Sequence, residues 1–244
     1  RESFVATQVN SIIGIVNGTA NYILSKMTDE GRNFNSALKE AQDMCFAEAD
    51  PSFDIEGIDS AHKIAILTRL VYGTPVNFDE IYIQGIKNIT LEDIKCAHEF
   101  GYRIKLLAIS KRQGESLEVR VHPAMIPVKN SLASVNGVLN AIQVHDEMMG
   151  EGILIGHGAG SPPTASAVLG DVVEIARNIL SGASASRVPI RGYQKSGQRL
   201  IPIKSINEIK SEYFLRFSVQ DKPRVLSVIS GILGEHAISI KSVI

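Results

Sequence analysis

Five carboxylates and a lysine crowd into the sixteen residues EADPSFDIEGIDSAHK: Glu48, Asp50, Asp54, Glu56, Asp59 and Lys63. The last two are spaced i, i+4, which on a helix sets a carboxylate and an ammonium on one face. A lysine at the head of an otherwise apolar helix can exchange a proton with a bound oxygen. Carboxylates grouped beside it suit the ammonium of a small zwitterion such as an amino acid. A divalent cation is a poorer fit, because the acids between 48 and 59 do not follow the twelve-residue calcium loop with its glycine at the sixth position. On spacing alone the commoner outcome is a solvated acidic loop followed by a surface Asp–Lys pair worth about 0.3–0.5 kcal/mol. A second segment, GHGAGSPPTAS at 156–166, carries Gly156, Gly158 and Gly160 ahead of a helix. Glycines permit close backbone approach, and a helix start favours an anion or a polar cofactor edge. The segment is not GxGxxG, and a tight strand-to-helix connection accounts for it equally well. Asn17-Gly18-Thr19 reads as a turn and a cap. His62, His98, His122, His145, His157 and His236 are scattered without ligand spacing, and no serine-based triad is indicated.

These segments need elements to hold them. VNSIIGIV (9–16) is a β-branched run that stops at Asn17-Gly18, after which Thr19 can cap a helix through about Met27. An amphipathic helix follows from Asn35, ending before Glu48. Residues 48–58 contain Pro51 and Gly57 and are expected to form an irregular acidic loop. The run DSAHKIAILTRLVYG is apolar nearly all round from Ile64 to Val71 and reads as a buried helix. Thr90 with Asp93 marks a capping box opening a helix to about Phe100. YRIKLLAIS and LEVRVHPAMI flank Gln113-Gly114-Glu115 as a hairpin, with NAIQVH and GILIG continuing the sheet. A long helix over 164–180 closes the block. Residues 183–208 read as a linker, and YFLRFSVQD, KPRVLSVISGILGEH and AISIKSVI as strand, Pro-initiated helix and strand.

The chain has 244 residues, 25 basic and 26 acidic, with 44% hydrophobic and 21% charged content. A near-neutral balance argues against nucleic acid, and no apolar run reaches the roughly 18 residues a membrane helix needs. Cys45 and Cys96 show no disulfide or zinc spacing, so a reducing cytoplasm is expected. The chain opens RESFVATQVN and closes ISIKSVI in what reads as mid-strand, so a fragment of a longer protein is expected.

GIVNGTANYIL (14–24), EADPSFDIEGIDSAHK and GHGAGSPPTASAVLGD (156–171), in this order and spacing, resemble the catalytic domain of homoserine dehydrogenase over about residues 1–180. The resemblance implies an NAD- or NADP-dependent oxidoreductase that interconverts aspartate semialdehyde and homoserine on the path to threonine and methionine. It implies substrate binding by Glu48, Asp54 and Asp59, and a proton-donor role for Lys63. Gly18, Thr19 and Gly160 fall on positions beside the nicotinamide cofactor, and no metal ligand falls within the chain. Members of the family begin with a dinucleotide-binding domain that contributes a further catalytic lysine. That domain has no counterpart here, so the chain alone is expected to be inactive. Residues from about Tyr213 resemble the start of an ACT module, which in this family can bind threonine, with Arg224 where the module usually carries glycine. The expected architecture is α+β: a mixed-sheet catalytic and dimerisation domain covered by helices (1–182), a linker (183–208) and a truncated, ferredoxin-like ACT module (209–244). A rival reading is a non-catalytic amino-acid-binding and oligomerisation module.

Overall fold

In the computed structural model, which describes residues 7–182 and 200–244, a first strand, β1 (Val9–Ile15), passes through Val16 and Asn17 into helix α1 (Gly18–Glu30). Helices α2 (Phe34–Asp43), α3 (Ser52–Ile55) and α4 (Ile58–Tyr72) follow, then β2 (Tyr82–Ile83) and α5 (Leu91–Glu99). The rest of the sheet comes from β3 (Tyr102–Gln113), β4 (Ser116–Pro127), β5 (Leu139–Asp146) and β6 (Gly150–His157), before helix α6 (Ser161–Leu180). The six strands lie in the order β2-β4-β3-β1-β5-β6. Every neighbouring pair is antiparallel except β2–β4, which makes the sheet mixed.

The β3–β4 hairpin pairs along its whole length, from Tyr102 opposite Pro127 to Gln113 opposite Ser116. Its turn is Gly114-Glu115, with Gly114 at φ 61°, the left-handed conformation that glycine adopts at least cost. Because strand side chains alternate, β3 sends Ile104, Leu106 and Ala108 to one face and Leu107 and Ile109 to the other. The first face packs with Ile12, Val119 and Val121 against Ile23, Leu24 and Met27 of α1 and Ile64 of α4. The second holds a smaller cluster with Ile15, Ala141, Leu132 and Val135. Burying each large aliphatic chain contributes about 1.5–3 kcal/mol, so the helix-covered face carries most of the stabilisation.

Several local expectations change. Asn17, not Thr19, caps α1, its side chain accepting from Ala20 N at 2.8 Å. The acidic segment is not wholly irregular, since Pro51 sits at the cap of the one-turn α3, where a missing N–H costs nothing. Helix α4 is buried along Ile64, Thr68 and Tyr72 but open on the side of His62, Lys63 and Ile66, the last 60% exposed. Helix α6 starts at Ser161 with proline in its first turn, and none of its residues is buried. Residues 183–199 of the expected linker lie outside the described residues. Residues 200–208 do not behave as a spacer: Ile203 bridges Leu117 in parallel, Leu117 N donates to Pro202 O at 2.9 Å, and Lys204 N donates to Leu117 O at 2.8 Å.

The chain divides into two units, Arg1–Lys210 and Ser211–Ile244. The smaller contains helix α7 (Val225–Glu235). The strands expected at 213–221 and 237–244 form no ladder among the described residues, because a strand needs a neighbour to exchange N–H and C=O bonds with. Arg224 caps α7 at φ 76°, a left-handed conformation that costs a side-chain-bearing residue about 1–2 kcal/mol. Among the described residues no helix is long and apolar enough to cross a membrane.

Candidate functional site

The turn from β1 into α1 is the first wall. Gly18 lies against the residue that leads into β5: a Cβ there would sit 3.0 Å from Val138 O, a tight contact that a side chain would make only if that backbone gave way by a few tenths of an ångström. Thr19 donates its hydroxyl to Phe46 O at 2.6 Å, tying the start of α1 to the chain leaving α2.

The acidic segment is the second wall. Asp50 accepts from Ser52 N at 3.1 Å and Ser52 Oγ at 2.6 Å, and these bonds hold its carboxyl below the usual carboxylate range. Gly57, at φ 84°, turns the chain from α3 into α4. Beneath it the backbone at Gly85 approaches so closely that a Cβ would lie 2.2 Å from Ile55 O and 2.5 Å from Glu56 Cα. Ile86 N donates to Ile55 O at 2.8 Å and fixes that contact.

Where the walls meet, four side chains join. The Asn17 Nδ2 donates to Asp54 Oδ1 at 2.6 Å and to Asp59 Oδ2 at 2.9 Å. Lys63 Nζ donates to the same Asp59 Oδ2 at 2.7 Å and to Val16 O at 2.9 Å. An ammonium has three hydrogens, so Lys63 keeps one for another acceptor. Asp54 Oδ2 and Asp59 Oδ1 make no hydrogen bond among the described residues and can receive a ligand's ammonium. The structure thus brings Asp54, Asp59 and Lys63 together, as their spacing suggested. It leaves Glu48 apart: its carbonyl accepts from Gln42 Nε2 at 3.1 Å, while its side chain is exposed.

Lys63 also lines a cleft of about 480 Å³, with Val16, Ile66 and Leu67 on its side. The opposite wall is built from Asn140, Ile142, Leu154, Ile155 and Gly156–Gly158. The glycine segment is thereby placed across from the lysine. Gly158 allows this by close packing, since a Cβ there would overlap Asn140 Nδ2 at 1.7 Å. Gly160 is not in that wall; at φ 113° it leads the chain into α6. A larger hollow of about 630 Å³ is lined by residues of α6 and Ser181 alone, including Leu169, Val173 and Arg177, and groups no carboxylate pair with a lysine.

Sequence reasoning missed Asn17, because Asn-Gly signals a turn and nothing local reveals partners 37 and 42 residues away. It also missed Gly85 and Asn140, which no motif marks.

Comparison with known proteins gives the family. Residues 1–173 match the family model for homoserine dehydrogenase. A homoserine dehydrogenase of Neisseria gonorrhoeae is 46% identical over 244 residues, all of this chain but 56% of that protein. The crystal structure of a homoserine dehydrogenase from Thiobacillus denitrificans superposes with a TM-score of 0.90 at 40% identity, again over 100% of this chain and 56% of its own. A hyperthermophilic archaeal homoserine dehydrogenase in complex with NADPH gives a TM-score of 0.62 at 31% identity, over 73% of this chain and 50% of its own. The chain therefore spans little more than half the length of the curated relatives it matches, and it belongs to the homoserine dehydrogenase family.

Proposed function

We propose that the chain supplies the substrate side of an active site interconverting L-homoserine and L-aspartate 4-semialdehyde. The observation that carries this reading is the joined set Asp54, Asn17, Asp59 and Lys63 beside the cleft. The free oxygens of Asp54 and Asp59 take the substrate's ammonium, with Glu48 supplementing them once its exposed side chain swings inward. That anchor orients the far carbon and its oxygen toward Lys63. The uncommitted hydrogen of Lys63 Nζ is delivered to the carbonyl oxygen on reduction and recovered from the hydroxyl on oxidation. Val16 O and Asp59 hold Lys63 Nζ in place for both directions, with the transferable proton on Nζ before reduction and off it before oxidation.

When bound, a nicotinamide cofactor supplies or accepts the hydride at the same carbon. Gly18, Thr19 and Gly160, with the glycine wall of the cleft, would hold its nicotinamide end. The NADPH complex of the archaeal relative supports a nicotinamide dinucleotide here, NADP or NAD, with the choice between the two made by the domain that holds the rest of the dinucleotide. Turnover therefore needs the additional length the relatives have, and the chain alone is inactive. We assign the smaller unit, residues 211–244, to the first half of an ACT-like regulatory module that binds threonine, and the sheet unit to dimerisation in a cytoplasmic enzyme.

The test is homoserine oxidation followed by nicotinamide absorbance, with the chain extended to the length of its relatives. Lys63→Ala is expected to lower kcat by about 100- to 10,000-fold with an unchanged circular dichroism spectrum. Full turnover by the variant would return Lys63 to a surface pair. Uptake of homoserine without any turnover in the native protein would favour an amino-acid-binding module instead.

A further inference from the structure

Asn17 is 6% exposed, and its carboxamide is used at three points. Its oxygen accepts from Ala20 N and caps α1, and its nitrogen donates one hydrogen to each of two carboxylates that come from different helices. Two carboxylates on one nitrogen are close enough to repel, and the neutral N–H donor between them offsets that repulsion. The donor also decides which oxygens are spent. Asp54 Oδ1 and Asp59 Oδ2 turn inward to Asn17, so Asp54 Oδ2 and Asp59 Oδ1 are the pair left for a ligand. Asp59 Oδ2 is shared with Lys63, so the same amide fixes the carboxylate against which the lysine is oriented.

We infer that Asn17 is a positioning residue that holds Asp54 and Asp59 as a paired receptor for the substrate's ammonium and sets the Asp59–Lys63 geometry through that pairing. The inference rests on the functional reading above. A turn and cap alone would need only the amide oxygen, which an aspartate supplies as well as an asparagine.

Asn17→Asp separates the two roles. It keeps the cap and the volume but places a third carboxylate where the donor stood. In the protein extended to full length, kcat/KM for homoserine at pH 8 is expected to fall about 100-fold or more, with KM raised and the unfolding temperature kept within a few degrees. Lowering the pH to 6 should recover about tenfold of that loss relative to native protein, because a protonated carboxyl at position 17 regains a donor. If this variant does not fold, Asn17→Ala carries the test, with an expected loss of about 10-fold or more in kcat/KM and a higher KM. Native kcat/KM in either folded variant, or a loss in Asn17→Asp that is the same at pH 6 and pH 8, overturns the inference. Absence of turnover in the native protein overturns the functional reading, and this one with it.

Discussion

Lys105 is 2% exposed on β3, with Nζ donating to Asn21 Oδ1 at 3.0 Å, Val135 O at 2.6 Å and Asn136 Oδ1 at 3.0 Å. Burial pushes its pKa down to about 8, the Arg103 charge adds to the shift, and Asp29 opposes it. The unfolded chain holds this proton up to about pH 10.4, so between pH 8 and that value the unfolded state binds more protons and stability rises with pH. Below pH 8 both states are protonated and the contribution is flat. The stability of native protein relative to Lys105→Met is therefore expected to grow by about 1 kcal/mol per pH unit between pH 8.5 and 9.5, measured by urea unfolding. No such role was legible in YRIKLLAIS, where the alternation marks a strand but the acceptors that surround a lysine come from α1 and from residues 135–136. Lys63, Asp54 and Asp59 were legible because their chemistry is written in one short segment. Asn17 was not, because its significance lies in partners the chain brings to it.

At the level of elements, local signals did well where they were self-contained. The capping box came through intact, with Thr90 and Asp93 bonding reciprocally at the start of α5. So did the β3–β4 hairpin, whose turn glycine and alternating strands are both local. The one-turn α3 and the two-residue β2 were invisible, since each is fixed by tertiary contact: Gln84 N donates to Val121 O at 2.8 Å and Ile86 N to Ile55 O, and the backbone at Gly85 presses against Glu56 between them. Gly85→Ala must push the acidic segment away from β2. It is expected to cost about 1–3 kcal/mol by urea unfolding and to weaken the proposed homoserine binding by calorimetry, as Asp54 moves with α3. The flanks of α7 failed as strands for the complementary reason, having β-rich sequence but no ladder partner among the described residues.

For the whole molecule, the boundary between units falls later than composition indicated. Ile209 is 5% exposed, and Ile201 N donates to Thr74 Oγ1 at 3.1 Å, so the stretch after residue 200 belongs to the sheet unit. A chain ended at Lys210 is expected to keep that unit's cooperative thermal transition, whereas one ended at Leu200 should lose about 1–3 kcal/mol by exposing Leu117 and its backbone partners. Calorimetry of the two truncations checks this. The contacts of Asn17 have a kinetic corollary. They close loops of 37 and 42 residues, and Lys63 reaches Val16 across 47, so the bonds that join α3 and α4 to the end of β1 cannot form within a nascent helix or hairpin, unlike the local Asp59–Lys63 pair of α4. Loop closure of that span is an entropic cost met before any contact repays it. The joined set of Asp54, Asn17 and Asp59 proposed to receive an ammonium consequently appears only when α3 and α4 have docked on β1, and a chain with α4 alone carries no more than its Asp59–Lys63 pair.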